Sequence, residues 1–185
     1  MNGSKQFVFV PYVPAKDKCS TNFQEMLHTQ NNKILPLPFV LGDFTDTKSV
    51  IIAEGQWDAI TVFGAAGGFD NEMSNTSVLG LRGSQSIEPF FTFYSSWLRK
   101  TKPNILLLID NDSAGKKWVE REKLENKIIE KPTLLERLSH IVGANKVKWA
   151  MSPIDGEDFG DLYKRTSPSK ADVRQFLNEQ GLVKL

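Results

Sequence analysis

Two apolar runs that end abruptly in acidic residues most constrain how this chain can fold. Residues 105–109 are entirely apolar and precede Asp110 and Asp112, and the shorter apolar run 50–53 precedes Glu54. Short continuous apolar runs are typical of strands that are buried on both faces of a parallel sheet. Open α/β sheets bind ligands beyond the carboxyl ends of such strands. The sequence therefore predicts that these carboxylates converge at one sheet edge, where a divalent cation would offset their mutual repulsion.

The wider pattern indicates an α/β fold whose sheet has four strands, is mainly parallel and is flanked by helices. The predicted strands are residues 50–53, 77–81, 105–109 and 146–151. The predicted helices are residues 57–66, 88–100, 114–129, a segment from Pro132 to Gly143, and residues 172–179. Tryptophans within these elements are expected to pack in the core; they are Trp57, Trp97, Trp118 and Trp149.

The chain is expected to have three parts. Residues 1–48 form a small N-terminal lobe that begins with a short strand near 7–13, residues 49–166 form the main domain, and residues 167–185 form a C-terminal helical tail. The lobe is harder to interpret than the rest, because two prolines within residues 34–41 argue against both a helix and a central strand.

Composition sets few limits on function. The 185 residues are 40% hydrophobic and 24% charged, as is usual for globular proteins, and a net charge of +1 neither demands nor excludes a polyanionic partner. The single cysteine, Cys19, excludes an internal disulfide, so a reducing compartment is expected. No apolar run has the length of a membrane span, and the N-terminus lacks a signal-peptide pattern. We therefore expect a cytoplasmic protein with no membrane partner.

Three acidic motifs, each following a predicted strand, resemble those of the Toprim domain. They are Glu54-Gly55-x-x-Asp58, Asp110-x-Asp112 followed by Ser-Ala-Gly115-Lys116, and Gly156-Glu-Asp158 followed by Phe-Gly-Asp161. Bacterial DnaG-type primases, type IA and type II topoisomerases and small nucleases share this domain. The resemblance covers roughly residues 50–165 and is strongest to the primase and primase-helicase branch, including its phage members. The turn Leu81-Arg82-Gly83-Ser84 is similar to that family's glycine-threonine turn, with serine in place of threonine.

The resemblance implies a Toprim-type Rossmann-like fold that carries out metal-dependent nucleotidyl transfer. The implied activity is RNA primer synthesis on single-stranded DNA during replication, with Mg²⁺ or Mn²⁺ as cofactor. Nucleotides and single-stranded DNA would be its partners, together with a zinc-binding module and a replicative helicase in a larger protein or assembly. Neither module is evident in this sequence, so the chain is expected to be a fragment, a stand-alone relative or a degenerate copy.

The same resemblance implies a role for each motif residue. Glu54 would act as a general acid or base, or as an outer metal ligand, while Asp110 and Asp112 hold the metal. Asp158 would be a further metal ligand, and Asp158 and Asp161 would add negative charge from the last loop. The implied phosphate- or nucleic-acid-binding residues are Arg82, Gly83, Ser84 and Lys116, and the remaining motif residues are Gly55, Asp58 and Gly115.

Several alternatives stay open at this point. The same acidic edge could hydrolyse phosphodiesters, as in the Toprim nucleases, or the chain could be a non-catalytic nucleic-acid-binding Toprim module. Simpler structural roles also exist for individual residues. Asp112 or Ser113 could cap the following helix, and Asp58 could serve the dipole of the first helix.

Overall fold

The computed structural model describes residues 38–42, 47–70, 72–73, 75–121, 123–124, 127–128 and 131–180. The strand predicted near residues 7–13 and most of the predicted N-terminal lobe lie outside the described residues, so these stay predictions. The same is true of the last five residues of the predicted tail.

A five-stranded, mostly parallel sheet forms the centre of the fold. The strands are β1 (Phe39–Leu41), β2 (Ser49–Ala53), β3 (Thr76–Gly80), β4 (Asn104–Ile109), β5 (Lys123–Leu124), β6 (Lys127–Ile128) and β7 (Val147–Met151). The order in the sheet is β1-β3-β2-β4-β7, and β5 and β6 form a separate antiparallel pair. Strands β3, β2, β4 and β7 are parallel to one another, whereas β1 pairs antiparallel with β3. The predicted α/β fold with a mainly parallel sheet is confirmed.

The prediction of a four-stranded sheet was wrong, because the sheet has a fifth strand. Strand β1 falls within the range predicted for the N-terminal lobe, but it forms one edge of the main sheet. Pro38, which lacks an N–H group, immediately precedes β1. A proline is tolerated beside an edge strand because one side of that strand needs no ladder hydrogen bonds.

Helices cover both faces of the sheet. They are α1 (Gln56–Ala65), α2 (Ile87–Thr101), α3 (Ser113–Lys116), α4 (Leu134–Val142), α5 (Phe159–Thr166) and α6 (Lys170–Glu179). The helices predicted at 57–66, 88–100 and 172–179 are confirmed to within two residues at each end. The helix predicted from Pro132 begins at Leu134, because Thr133 is its N-cap. None of the helices in the described part of the chain is long and apolar enough to span a membrane.

The central strands are buried on both faces, which explains why they read as continuous apolar runs. One face packs against α2 and α4 and includes Val50, Ile52, Leu79, Ile105, Leu107, Phe90, Leu98, Leu134 and Leu138. The other face packs against α1, α5 and α6 and includes Ile51, Val78, Leu106, Leu108, Ala59, Val62, Phe159, Val173 and Leu177. Helix α6, predicted as part of a tail, thus contributes to this second core.

The long helix predicted at 114–129 was wrong. Helix α3 has only four residues, and the chain continues into the β5–β6 pair. Trp118 is 3% exposed within the core, and its carbonyl oxygen accepts a 3.0 Å hydrogen bond from the backbone N–H of Leu135. This long-range anchor turns the chain away from α3, because tertiary contacts readily override a weak local helix propensity.

The expectation that all four tryptophans are core residues was also wrong for two of them. Trp118 is buried, and Trp97 packs partly buried against the core. Trp57 is 56% exposed and Trp149 is 42% exposed. Trp149 lies on the edge strand β7, and Trp57 lies in the first turn of α1 and is not one of the buried residues of that helix.

The order of the strands creates a switch point between β2 and β4. From β2 the chain crosses to β3 on one side, and from β3 it returns to β4 on the other side of β2. The helix α1 therefore leaves towards one face of the sheet while α2 and α4 cover the opposite face. Ligands in open α/β sheets bind in the crevice at such a switch point.

The N-terminus of α4 offers a test of the fold. Thr133 Oγ1 accepts from the Glu136 N–H at 3.2 Å, and Glu136 Oε2 accepts from the Thr133 N–H at 2.9 Å. Replacing Thr133 with Ala removes the cap and should cost about 1 kcal/mol. We expect the melting temperature to fall by roughly 2–4 °C. Thr133→Ser retains the hydroxyl and should melt close to the wild type; equal losses in both variants would contradict this role of the hydroxyl.

Candidate functional site: an acidic edge at the switch point

Carboxylates interact electrostatically at the carboxyl ends of β2 and β4. We name this cluster the acidic edge, and its members are Glu54, Asp58, Asp110, Asp112 and Asp158. Glu54 directly follows β2, Asp110 directly follows β4, and Asp158 immediately precedes α5. The sequence predicts that Glu54, Asp110 and Asp112 lie at one edge of the sheet, and the structure places them there.

Glu54 and Asp110 are held together by the backbone. The backbone N–H of Asp110 donates a 3.2 Å hydrogen bond to Oε1 of Glu54. Gly115 packs closely over both residues, since a Cβ atom there would collide with the Asp110 carbonyl oxygen and with Glu54 Oε1. Glycine is needed at position 115 because the backbone of α3 passes too close to this pair for any side chain.

Asp112 is the N-cap of α3. Its Oδ1 accepts hydrogen bonds of 2.8 Å from the backbone N–H groups of Ala114 and Gly115. The alternative that Asp112 caps a helix is therefore confirmed. Capping uses Oδ1, so Oδ2 is the oxygen that remains for a cation, and the two roles are compatible.

Asp58 connects two helices at the acidic edge. It lies in the first turn of α1, is 7% exposed, and its Oδ1 accepts a 3.0 Å hydrogen bond from the backbone N–H of Gly160 in α5. Asp158 caps α5 by accepting from the Asp161 N–H at 2.6 Å. These bonds fix the third motif beside the first, although the two are about a hundred residues apart in the chain.

Burial and mutual repulsion raise the proton affinity of the acidic edge. Burial, followed by repulsion from Asp110, raises the pKa of Glu54 to about 8. Burial, followed by repulsion from Asp58 and Asp158, raises the pKa of Asp110 to about 7. The pKa of Asp58 is also raised, chiefly by burial and then by repulsion from Asp158. A cation bound among these groups would relieve this repulsion.

The donor set fits a hard divalent cation that brings further ligands with it. All the candidate ligands are carboxylate oxygens, as Mg²⁺ and Mn²⁺ prefer. Among the described residues, however, no group of three or more His, Cys, Asp and Glu side chains already forms a metal-holding arrangement. Mg²⁺ commonly takes one or two carboxylates and completes its shell with waters and substrate phosphates. Asp110 and Asp112 are the residues that would hold it here.

Two predicted site residues form ion pairs of their own beside the acidic edge. The ammonium group of Lys116 pairs with Asp155 at 3.3 Å, and the carboxylate of Asp161 pairs with Lys164 at 3.0 Å. Helix α3 has only one turn, so its N-terminus adds little dipole attraction for a phosphate beside Lys116. The expectation of a loop at Asp161 was wrong, because Asp161 lies in the first turn of α5.

The turn after β3 borders the acidic edge on the side away from β4. The backbone N–H of Leu81 donates to the Ala53 carbonyl at 2.8 Å, and that of Gly83 donates to the Glu54 carbonyl at 3.5 Å. Gly83 has a φ of 74°, a conformation that favours glycine. Ser84 is exposed at the start of a short 3₁₀ turn, and the Arg82 side chain makes no ion pair with any described residue.

Sequence reasoning missed a network that supports the acidic edge. Asn111 is buried between the two aspartates, and its Nδ2 donates to the carbonyl oxygen of Ser152 at 2.9 Å. Its backbone N–H donates to the carbonyl oxygen of Glu157, whose carboxylate binds Ser152 Oγ and is held by Arg165 in two hydrogen bonds of 2.7 and 3.1 Å. The position of Asn111 between two predicted site aspartates is the sequence signal that could have revealed this network.

A second cleft, of about 510 Å³, lies between α2 and α4 and shares no residue with the acidic edge. It is lined by Phe91, Ser95, Arg99, Pro132, Glu136, Arg137, His140 and Ile141. Two of its charges are already paired, since Arg137 binds Glu88 and Glu136 binds Arg121. Because these charges are paired and none of the lining residues belongs to the three motifs, the cleft is a weaker candidate than the acidic edge.

No protein-family model, no curated protein and no solved structure matches this chain. The spatial arrangement of the three motifs is therefore the main functional information. The first motif ends β2, the second ends β4, and the third begins α5, whose backbone binds Asp58.

The raised pKa values predict that stability falls as pH rises. Between about pH 5 and about pH 8.5 the folded chain holds protons on Glu54 and Asp110 that the unfolded chain has released, so this contribution is lost as pH rises through the folded pKa values. The carboxylates with lowered pKa values are ionised in both the folded and the unfolded chain over most of this window, so they offset little of the decline. We expect the melting temperature without divalent cations to fall by several degrees between about pH 5.5 and about pH 8.5.

In Glu54→Gln the melting temperature should fall less steeply with pH than in the wild type. Glu120→Gln, which removes an exposed carboxylate outside the acidic edge, should leave the decline unchanged. Adding Mg²⁺ at about pH 8.5 should raise the melting temperature of the wild type more than that of Glu54→Gln. An equally steep decline in the wild type and in Glu54→Gln would show that Glu54 is not the proton-binding group.

Replacing Gly115 with Ala tests the close packing over Glu54 and Asp110. The added Cβ forces one of the two contacted oxygens to move, which should cost about 1–3 kcal/mol. Ala114→Ser, at the exposed neighbouring position, should be nearly neutral. Thermal unfolding of both variants measures the difference, and similar melting temperatures for the two would contradict the packing.

Proposed function

We propose that this chain is a cytoplasmic Toprim-type catalytic domain of a primase-like protein. It would carry out Mg²⁺-dependent nucleotidyl transfer, making RNA primers on single-stranded DNA during replication. One observation carries the proposal: Glu54 and Asp110 are hydrogen-bonded neighbours at the carboxyl ends of adjacent parallel strands, with Asp112 on the turn that follows. The order of the three acidic motifs along the chain supports it further.

The residues of the acidic edge would have different roles in the reaction. Asp110 and Asp112 would hold Mg²⁺, which when bound polarises the phosphoryl group and lowers the pKa of an attacking hydroxyl. Glu54 would accept and return a proton, because its raised pKa, about 8 without a metal, brings its titration close to neutral pH. Asp58 would position the edge through its bond to α5 and would touch no substrate.

Basic residues beside the acidic edge would bind phosphates. Arg82 follows β3 on one side, and Lys116 ends α3 on the other, where its exposed pairing with Asp155 is weak enough to exchange for a phosphate. The partners we propose are nucleotides and single-stranded DNA. A zinc-binding module and a replicative helicase would act with the domain in a larger protein or assembly.

A non-catalytic nucleic-acid-binding module is the second candidate. The observation that favours it is that Asp112 and Asp158 each already serve as helix caps, a role that needs no metal. Binding to DNA would then be indifferent to Mg²⁺ and to the charge of Asp110.

Asparagine variants at positions 110 and 112 test the catalytic proposal. Asparagine is as good an N-cap as aspartate, so Asp112→Asn should retain α3. The neutral amide should nevertheless bind a divalent cation more weakly than the carboxylate does. Each variant should lower primer synthesis by at least about 100-fold, because each removes a proposed ligand of the catalytic ion. Synthesis is measured as lengthening of labelled product on single-stranded DNA with Mn²⁺ and nucleotides, with the zinc-module and helicase partners added. Mn²⁺ binding by calorimetry and thermal unfolding are measured in parallel.

The matched control is Glu120→Gln, which removes an exposed carboxylate outside the acidic edge. Unchanged synthesis in both asparagine variants would contradict the proposal. Metal-dependent shortening of the labelled strand, lost in the same variants, would assign the edge to a nuclease. Metal-independent DNA binding with no Mn²⁺ site in the wild type would favour the non-catalytic module.

A further inference from the structure

Trp57 is a large aromatic residue left exposed in the first turn of α1. It is 56% exposed, although it lies between Glu54 and Asp58 of the first acidic motif. Tryptophan is usually well buried, so an exposed one beside a candidate site is informative. Trp57 is not one of the buried residues of α1, which are Asp58, Ala59, Val62 and Phe63.

Helix geometry directs Trp57 towards the acidic edge. Every Cα–Cβ bond in an α-helix tilts towards the helix N-terminus, so a side chain covers the turn that precedes its own Cα. The turn that precedes Trp57 is Glu54-Gly55-Gln56, at the carboxyl end of β2. Trp57 is held in place because the next residue, Asp58, is buried and bound to the backbone of α5.

The turn after β3 lies on the same side of Glu54 as α1. Gly80 ends β3 so close to the start of α1 that a Cβ atom at Gly80 would lie 2.6 Å from the Cα of Gln56. Two residues further on, Arg82 makes no ion pair with any described residue. An exposed aromatic ring and a cation therefore flank the acidic edge on one side, while Asp110 and Asp112 flank Glu54 on the other.

We propose that Trp57 is a stacking platform for a nucleobase of single-stranded nucleic acid bound along the acidic edge, with Arg82 binding a phosphate of the same strand. This inference rests on the proposed function and adds a residue that recognises the strand. An acidic surface repels nucleic acid, so a strand that crosses it needs a cation at the carboxylates and favourable contacts beside them. Stacking on an aromatic ring supplies such a contact for any of the bases.

Binding measurements with the whole chain test this role apart from catalysis. The probe is a fluorescein-labelled oligo-dT, followed by anisotropy with Mg²⁺ and without nucleotides. Trp57→Ala should weaken binding by about 5- to 150-fold, the range expected for the loss of one stacked base. Trp57→Phe should retain most of the affinity, whereas Trp57→Leu, which is apolar but not aromatic, should not. The matched control is Trp149→Ala, the other exposed tryptophan, which lies on β7 and should bind as the wild type does.

An oligonucleotide with abasic sites separates base stacking from other effects. The wild type should bind it more weakly than oligo-dT, and this difference should shrink in Trp57→Ala. Equal binding of the two oligonucleotides by the wild type would overturn the proposal, and so would equal affinities of Trp57→Ala and Trp149→Ala for oligo-dT. The comparison of wild-type affinities needs no variant, so it stands even if a substitution impairs folding.

The two proposals fail in different ways. If synthesis depends on Asp110 but Trp57→Ala binds oligo-dT as the wild type does, the stacking role is wrong and the catalytic role stands. If neither synthesis nor cleavage occurs but base-dependent binding is lost in Trp57→Ala, the stacking role stands in a non-catalytic module.

Discussion

The packing of two adjacent parallel strands, β2 and β4, is the constraint on which the rest of the structure depends. After their first residues, Ser49 and Asn104, both strands are buried on both faces and their side chains are apolar. Their backbone polar groups must therefore be satisfied within the sheet. Polar chemistry can begin only where the strands end. Because the chain leaves β2 and β4 in opposite directions, a crevice opens at those ends, and Glu54 and Asp110 stand on its two sides.

The acidic edge is stable as a structure but unfavourable as a set of charges. Backbone N–H groups hold Glu54, Asp58, Asp112 and Asp158 in place. The same closeness and burial raise the pKa of Glu54 to about 8 and that of Asp110 to about 7. Protons or a divalent cation can relieve the repulsion, which is why one cluster has both a predictable pH dependence and a proposed catalytic role. In the proposed binding mode, the exposed ring of Trp57 and the guanidinium group of Arg82 would extend the site towards a nucleic-acid strand.

Much of the fold followed from the local pattern. Largely apolar runs located the four parallel strands, and the carboxylates that follow two of these strands indicated the edge of the sheet at which they meet. Other predictions depended on contacts that a local pattern does not contain. The helix expected after Asp112 ends after four residues because Trp118 is anchored to α4, and β1 joins the sheet only through its pairing with β3. The support that Asn111 gives to the edge likewise depends on the loop that contains Ser152 and Glu157.

The sequence by itself determined the class of fold, the central strands and the acidic residues that follow them, because burial on both faces and an abrupt change to charge are local properties. Only the tertiary structure decided that Asp58 binds the backbone of α5, that Asp161 points to Lys164, and that Trp57 is exposed beside the acidic edge. Each of these depends on which face of a helix packs against the sheet, and that choice is made by contacts between residues far apart in the chain.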